Sequence, residues 1–266
     1  SYAERQRMFA LPRSSWQDYD KSKLSAGGGI FSRSAKSIPL SPQLRGLLAI
    51  ETDSAAPNDV LRAILKLDVD LLWLGGIGTY VRASTETDAD AGDRANDPIR
   101  ITGTELKARV VGEGANLGLT QKGRIEYARA GGRLNTDFID NSAGVNSSDL
   151  EVNIKIALGS AIAGGRLAAD ERNAFLASMT DDVAAACLVN NHQQSLALSL
   201  AERRGARDMG YLSRLMRALE TRGLLDRRIE SLPREAEMRQ REAAGSGLTR
   251  PELAVLLSWS KIALDT

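Results

Sequence analysis

Val69-Asp70-Leu71-Leu72-Trp73-Leu74-Gly75-Gly76-Ile77-Gly78-Thr79 runs from an apolar stretch directly into glycines, and Arg109-Val110-Val111-Gly112-Glu113-Gly114-Ala115-Asn116 repeats the pattern further along the chain. A short apolar run closed by glycine reads as a buried strand that ends in a tight loop. Helical patterns lie around these runs. Val60, Leu61, Ile64 and Leu65 recur at helical spacing behind Pro57. Thr120 can cap a helix with apolar Ile125, Ala128 and Ala130, and Gly131-Gly132 stops it. Thr104 to Ala108 reads as a further short helix, and the polar stretch from Ala89 to Asp97 as an exposed excursion. Arg133 to Ile139 is a third strand candidate, after which Asp140-Asn141-Ser142-Ala143-Gly144-Val145 turns into a helix expected to start near Ser148. Helix, strand and glycine loop in alternation form the pattern of a parallel sheet covered by helices. Ligands of such sheets bind beyond the carboxyl ends of the strands. All three loops leave those ends, so they are expected along one edge.

Past Glu151 the strand signals stop. Asp170 and Thr180 are plausible N-caps, Gly205 ends a helical run, and Leu212, Leu215, Met216 and Leu219 share a helix face. Thr249 with Glu252 forms a capping box ahead of Leu253, Leu256 and Leu257, with Pro251 in the first turn. The densely charged stretch from Asp226 to Ala244 reads as a solvated helix face or linker. The division expected is 1–148 for the sheet domain and 149–266 for an all-α C-terminal region.

Composition narrows the function. The 266 residues suffice for one large domain or two modest ones, and 42% apolar with 26% charged residues is ordinary for a globular chain. Thirty-five Lys and Arg against 34 Asp and Glu argue against nucleic acid as the main partner. A single cysteine, Cys187, and a single histidine, His192, leave no internal disulfide and no His/Cys zinc site, and point to a reducing cytoplasm. No run is apolar and long enough to span a membrane, and the N-terminus lacks a signal peptide's apolar stretch. The chain opens without Met in a charged helical pattern, which suggests a segment of something longer.

Surplus glycine, 24 residues, suits tight turns where phosphates and flat cofactors bind. The backbone of Gly75-Gly76-Ile77-Gly78 can approach a nicotinamide, ribose or pyrophosphate, although a plain strand-to-helix turn explains the same residues. Glu113 and Asn116 set a carboxylate and a carboxamide at a strand end, suited to a ribose hydroxyl or a nicotinamide, with turn chemistry as the even alternative. Asn141, Ser147 and Ser148 offer small polar groups at a helix start, either for a substrate carboxylate or to cap their own helix. His192 and Cys187 read as bland helix residues, and no Ser/His/Asp triad can be assembled.

Val110-Val111-Gly112-Glu113-Gly114-Ala115-Asn116, then Arg133-Leu134-Asn135-Thr136-Asp137 and Asn141-Ser142-Ala143-Gly144-Val145, resemble the cofactor-domain signature of glutamate dehydrogenases. Leu11-Pro12-Arg13-Ser14-Ser15-Trp16, Ser34-Ala35-Lys36-Ser37-Ile38-Pro39-Leu40-Ser41, Trp73-Leu74-Gly75-Gly76-Ile77-Gly78-Thr79-Tyr80 and Leu248-Thr249-Arg250-Pro251-Glu252-Leu253-Ala254 are similar to the large bacterial NAD-specific class. The resemblance covers essentially the whole chain. It implies an α/β fold, a partial Rossmann-like parallel sheet domain followed by an all-α C-terminal region. It also implies a cytoplasmic oligomeric enzyme, assembled through the parent protein as a homo-oligomer, that oxidises L-glutamate to 2-oxoglutarate and ammonia while reducing NAD.

By the same resemblance Asn116 matches the asparagine at the cofactor ribose and nicotinamide. Gly75, Gly76 and Ile77 match the loop beside the cofactor, Ser148 the serine that holds the substrate side-chain carboxylate, and Asn141 the adjoining loop. The family's substrate lysines, its acid/base lysine and aspartate and its pyrophosphate turn have no local match here, so the chain is expected to carry part of the site and no catalytic residue of its own. Lys36, Lys107 and Lys155 have nothing that places them in those roles. Two alternatives stay open: another amino-acid dehydrogenase, and a non-catalytic nucleotide-binding or assembly module.

Overall fold

The computed structural model describes residues 2–265. After helix α1 (Tyr2–Phe9), β1 (Ile38–Pro39) pairs antiparallel with β2 (Ser54–Ala55) around α2 (Pro42–Leu48), and α3 (Pro57–Leu65) follows. Ser41 caps α2 by accepting the Leu44 N–H, and Ile38, Leu40, Leu48 and Val60 form a small core between these elements. Strand β3 (Leu71–Leu74) then enters the main sheet.

The chain next forms β4 (Val81–Arg82), α4 (Asp88–Ala91) and β5 (Ile101–Thr102), with β4 parallel to β5, before returning as β6 (Val110–Glu113), α5 (Gln121–Arg129) and β7 (Arg133–Leu134). The main sheet has the order β3-β6-β7 and both pairings are parallel, with Leu71 opposite Val110 and Val110 opposite Arg133. Its carboxyl ends therefore lie along one edge, as the sequence pattern implies. Leu74, Val111, Leu134, Leu119 and Tyr127 are buried beneath it, whereas Leu71 and Trp73 stay exposed. The 89–97 stretch is anchored rather than loose: buried Arg100 donates to the Thr79 and Asp93 carbonyls and to Asp88 and Asp97.

A helical region completes the chain: α6 (Asp137–Asp140), α7 (Ser142–Ala163), α8 (Arg172–Ser178), α9 (Thr180–Arg204), α10 (Met209–Thr221), α11 (Glu235–Ala243) and α12 (Arg250–Asp265). Leu198, Met209, Met216, Leu219, Met238, Leu253 and Leu256 make its core, which Ile139 joins from α6. The Thr249–Glu252 box forms, with Glu252 accepting from both the backbone N–H and the hydroxyl of Thr249.

Several local expectations change. The third strand stops at Leu134, because Asp137 and Asp140 accept backbone N–H groups of the β6 exit and fold the chain back as α6. Helix α7 begins at Ser142 rather than near Ser148 and crosses positions 148 and 149 without a break. Thr104 to Ala108 supplies only the end of a 3-10 turn, Gly103–Glu105. Asp170 caps nothing, and Thr180 is the first residue of α9, its hydroxyl donating to the Ala177 carbonyl. The charged 226–244 stretch is not a solvated face throughout, since Arg227 and Arg241 are buried, paired with Glu220 and Glu235 and with Glu237 and Glu252 respectively.

Glu4 ties the N-terminal segment together. Its buried carboxylate accepts from Arg7 at 2.6 and 3.0 Å, from the Asp20 N–H at 2.8 Å and from Lys23 at 3.0 Å. Arg7 foremost, then the Asp20 N–H and, against the opposing effect of burial, Lys23 hold it far below the usual carboxylate range. A depressed carboxyl contributes stability that is complete above the ordinary Glu value of about 4.3 and is lost as pH falls toward and through the depressed one. Amide exchange across residues 2–24, taken relative to the intrinsic exchange rate at each pH, should therefore accelerate in acid in the native protein. In Glu4→Gln it should already be fast at neutral pH, and the two proteins should converge at low pH; equal protection at neutral pH would show that the clasp is idle.

Candidate functional site

At the exit of β6 the side chain of Glu113 turns inward. It is fully buried and accepts a forked pair of bonds from Arg124, each 2.7 Å, and the Leu119 N–H at 3.1 Å. Burial pushes its carboxyl up and nearby Asp137 adds to this, while Arg124 works in the opposite direction. Arg124 also reaches Asp137 at 3.1 Å, whose other oxygen accepts the Leu117 N–H at 2.8 Å. Leu117 has φ of 63°, a left-handed conformation that costs a non-glycine residue about 1–2 kcal/mol and persists only where it is held. The turn presents Asn116 to the junction of α6 and α7, where Asn141 donates to the Asn116 carboxamide oxygen at 3.1 Å.

Asn116 and Asn141 stand on the rim of a cleft of about 910 Å³, whose opposite wall holds Gln194 of α9 and Trp259 and Lys261 of α12. Its polar groups are linked. Ser142 donates to Asn191 at 2.5 Å, Gln194 donates to Asn190 at 2.6 Å and to Ser142 at 3.3 Å, Asn146 donates to Asn190 at 3.0 Å, and Lys261 donates to Gln194 at 2.9 Å. Such a cleft has the size and convergent polar groups of a small-molecule site, with Asn116, Asn141, Asn146 and Gln194 among its polar lining.

The expected site residues fall into three groups. Asn116 and Asn141 meet. Gly75, Gly76 and Ile77 leave β3, the strand beside β6, and are exposed, but they do not line the cleft; Ser148 is exposed well inside α7 and does not line it either. Gly78 and Glu113 depart from the expectation of cofactor contact. Gly78 is buried at φ of 146°, with the Asn96 amide 2.6 Å from where its Cβ would stand, so packing and conformation both require glycine. The Glu113 carboxylate is consumed by Arg124. Sequence reasoning missed Gln194, Trp259 and Lys261. The polar run Asn190-Asn191-His192-Gln193-Gln194 inside an apolar helix is the signal that could have found the α9 wall, although His192 itself is exposed.

Among the described residues no group of His, Cys, Asp and Glu could hold a metal, and no helix is long and apolar enough to cross a membrane. A parallel sheet with helices between its strands, followed by a helical region, defines an α/β fold. The family model described as bacterial NAD-glutamate dehydrogenase, catalytic domain, matches residues 1–201. NAD-specific glutamate dehydrogenases of Pseudomonas aeruginosa and Halomonas elongata are 55% and 52% identical to the chain, and that of Mycobacterium tuberculosis 48%, each over 99% of its length. The chain belongs to the bacterial NAD-glutamate dehydrogenase family and falls largely within its catalytic domain. It spans 16–17% of the length of these relatives.

Removing one member of a buried pair leaves an uncompensated charge, at a cost of about 3–5 kcal/mol. Arg124→Met should lose stability on that scale in urea unfolding, and Glu113→Gln/Arg124→Met should recover part of it. A loss under about 1 kcal/mol in the single variant would mean that the pair does not hold the strand exit.

Proposed function

We propose that this chain forms the strand-exit side of the NAD and substrate site of a glutamate dehydrogenase, which converts L-glutamate, NAD and water to 2-oxoglutarate, ammonia and NADH. The observation that carries this reading is the contact of Asn116, just past the end of β6, with Asn141, at the junction of α6 and α7, beside a cleft that both line. Asn116 is assigned to the cofactor ribose and nicotinamide, Gly75, Gly76 and Ile77 to the loop beside it, and Asn141 and Ser148 to the substrate side.

The residues present suit the cofactor. A Cβ at Gly76 would stand in open space and its φ is not positive, so neither packing nor conformation demands glycine there, and the space beside its backbone is open to a bound group. NAD supplies the hydride acceptor. The chain's own part is to bind and orient: amides hold neutral hydroxyl and carboxamide groups without introducing charge. Dehydrogenation of an amino acid also needs a base for the ammonium proton and cations for carboxylates. Of the cleft's ionisable groups, Asp137 is already bound to Arg124 and Leu117, Glu230 accepts from the Trp259 indole N–H, and Lys261 is the single cation. We therefore assign the acid/base residues to the part of the relatives' length that this chain does not match. Exposed Val152 and Ile156 on α7 and Leu188 and Leu200 on α9 support an assembly role for the helical region, within a homo-oligomer. Unpaired, buried Cys187 suits the reducing cytoplasm.

Calorimetry with NAD and steady-state kinetics of the full-length enzyme test the assignment. A lost hydrogen bond is worth about 1 kcal/mol, so Asn116→Ala should weaken NAD roughly fivefold to tenfold. Ser148→Ala should raise KM for glutamate by a similar factor with kcat little changed. Unchanged values in both variants would remove the site from these strand exits.

A further inference from the structure

A second cleft, of about 830 Å³, lies where α5 faces the 227–234 segment and α11, and nothing in the glutamate dehydrogenase reading uses it. Six cations line it against three carboxylates: Lys122, Arg129, Arg227, Arg228, Arg234 and Arg241 face Glu126, Glu237 and Glu252. The carboxylates are engaged. Glu126 accepts from the backbone and hydroxyl of Ser84, Glu237 pairs with Arg241 and Arg129, and Glu252 pairs with Arg241. Of the cations, Arg129, Arg227 and Arg241 are paired, Arg227 with Glu220 and Glu235, and the other three are not. Lys122, Arg228 and Arg234 form no ion pair among the described residues.

Two further features point the same way. Arg227 is buried, with 7% of its side chain exposed, and its Nε is one of the few buried polar atoms that have no hydrogen-bond partner among the described residues. A buried guanidinium N–H without an acceptor is destabilising and marks a polar group that the fold itself leaves unsatisfied. Helix α11 begins at this cleft with Arg234 at its N-cap position and no side-chain cap, so its first-turn N–H groups lack the side-chain oxygen that usually satisfies them.

We propose that this cleft is a second binding site, for a small polyvalent oxyanion of the phosphate-ester or polycarboxylate type. Arg228 and Arg234 are the electrostatic capture groups, and Arg227 stands in the wall beside them. Guanidinium forks suit either oxyanion, so the walls define the charge and not the central atom. Occupancy bridges α5 to the 227–241 segment and so strengthens the docking of the helical region on the sheet. Because α5 also carries Arg124, the site sits on the helix that holds the β6 exit.

Calorimetric titration of the full-length protein with pyrophosphate and with tricarballylate, against sodium chloride at matched ionic strength, tests this. The result expected is saturable binding of at least one anion, and the arm that binds more tightly separates phosphate from carboxylate chemistry. Arg228→Ser/Arg234→Ser, both exposed positions, should weaken it at least tenfold with the circular dichroism spectrum unchanged. Asn116→Ala and saturating NAD should leave it intact, which keeps its failure distinct from failure of the cofactor reading. No saturable binding of either anion, full binding by the double variant, or displacement by NAD would each overturn the proposal.

Discussion

The forked bond between Glu113 and Arg124 is the constraint on which the strand-exit side depends. It joins the end of β6 to α5 from inside, and through Arg124 it fixes Asp137, which in turn holds the Leu117 N–H. Leu117 sits in a conformation that an unrestrained leucine avoids, so without that acceptor the turn would relax and Asn116 would leave its place beside Asn141. A buried ionic network is thus what presents two uncharged amides at the surface. Its worth lies less in net stability, which such pairs seldom provide, than in selecting one geometry for the turn.

The sheet was legible from the sequence because its strands obey local rules. Val-Val and Leu-Leu runs closed by glycine have few conformations that bury them, and the helices between force parallel pairing. The shortness of β7 was not legible. Asp137 and Asp140 look like solvent-facing residues until the N–H groups they accept, from Leu117 and Glu113 well away in sequence, are known. The early start of α7 has the same origin. Asn141-Ser142-Ala143-Gly144 is turn-like in isolation, yet the Ser142 hydroxyl finds Asn191 and Gln194 on α9, and the helix forms there.

The cleft divides in the same way. Asn116 lies just past the end of β6, and Asn141 stands in a turn-like polar run that the sequence marks; Lys261, Trp259 and Gln194 lie on helices whose docking is decided by the whole core. The charged segment misled for a related reason. Charge density reports solvation only when each charge lacks a partner, and Arg227 and Arg241 are buried because Glu220, Glu235, Glu237 and Glu252 are arranged to receive them.

Glycine shows how function can be separated from architecture at these exits. Gly112 and Gly114 look like residues kept small for a cofactor, but a Cβ on either would run into the Trp73 indole, 2.6 and 2.2 Å from its ring atoms. Gly78 is claimed by Asn96 and Tyr80. Each is explained by the chain's own packing, so none argues for a ligand. Gly76 is different: it needs neither the space nor the backbone freedom that glycine provides. A glycine that the fold does not require, placed where the strand beside Glu113 opens to solvent, is better support for a bound group than the density of glycines that first drew attention to the loop.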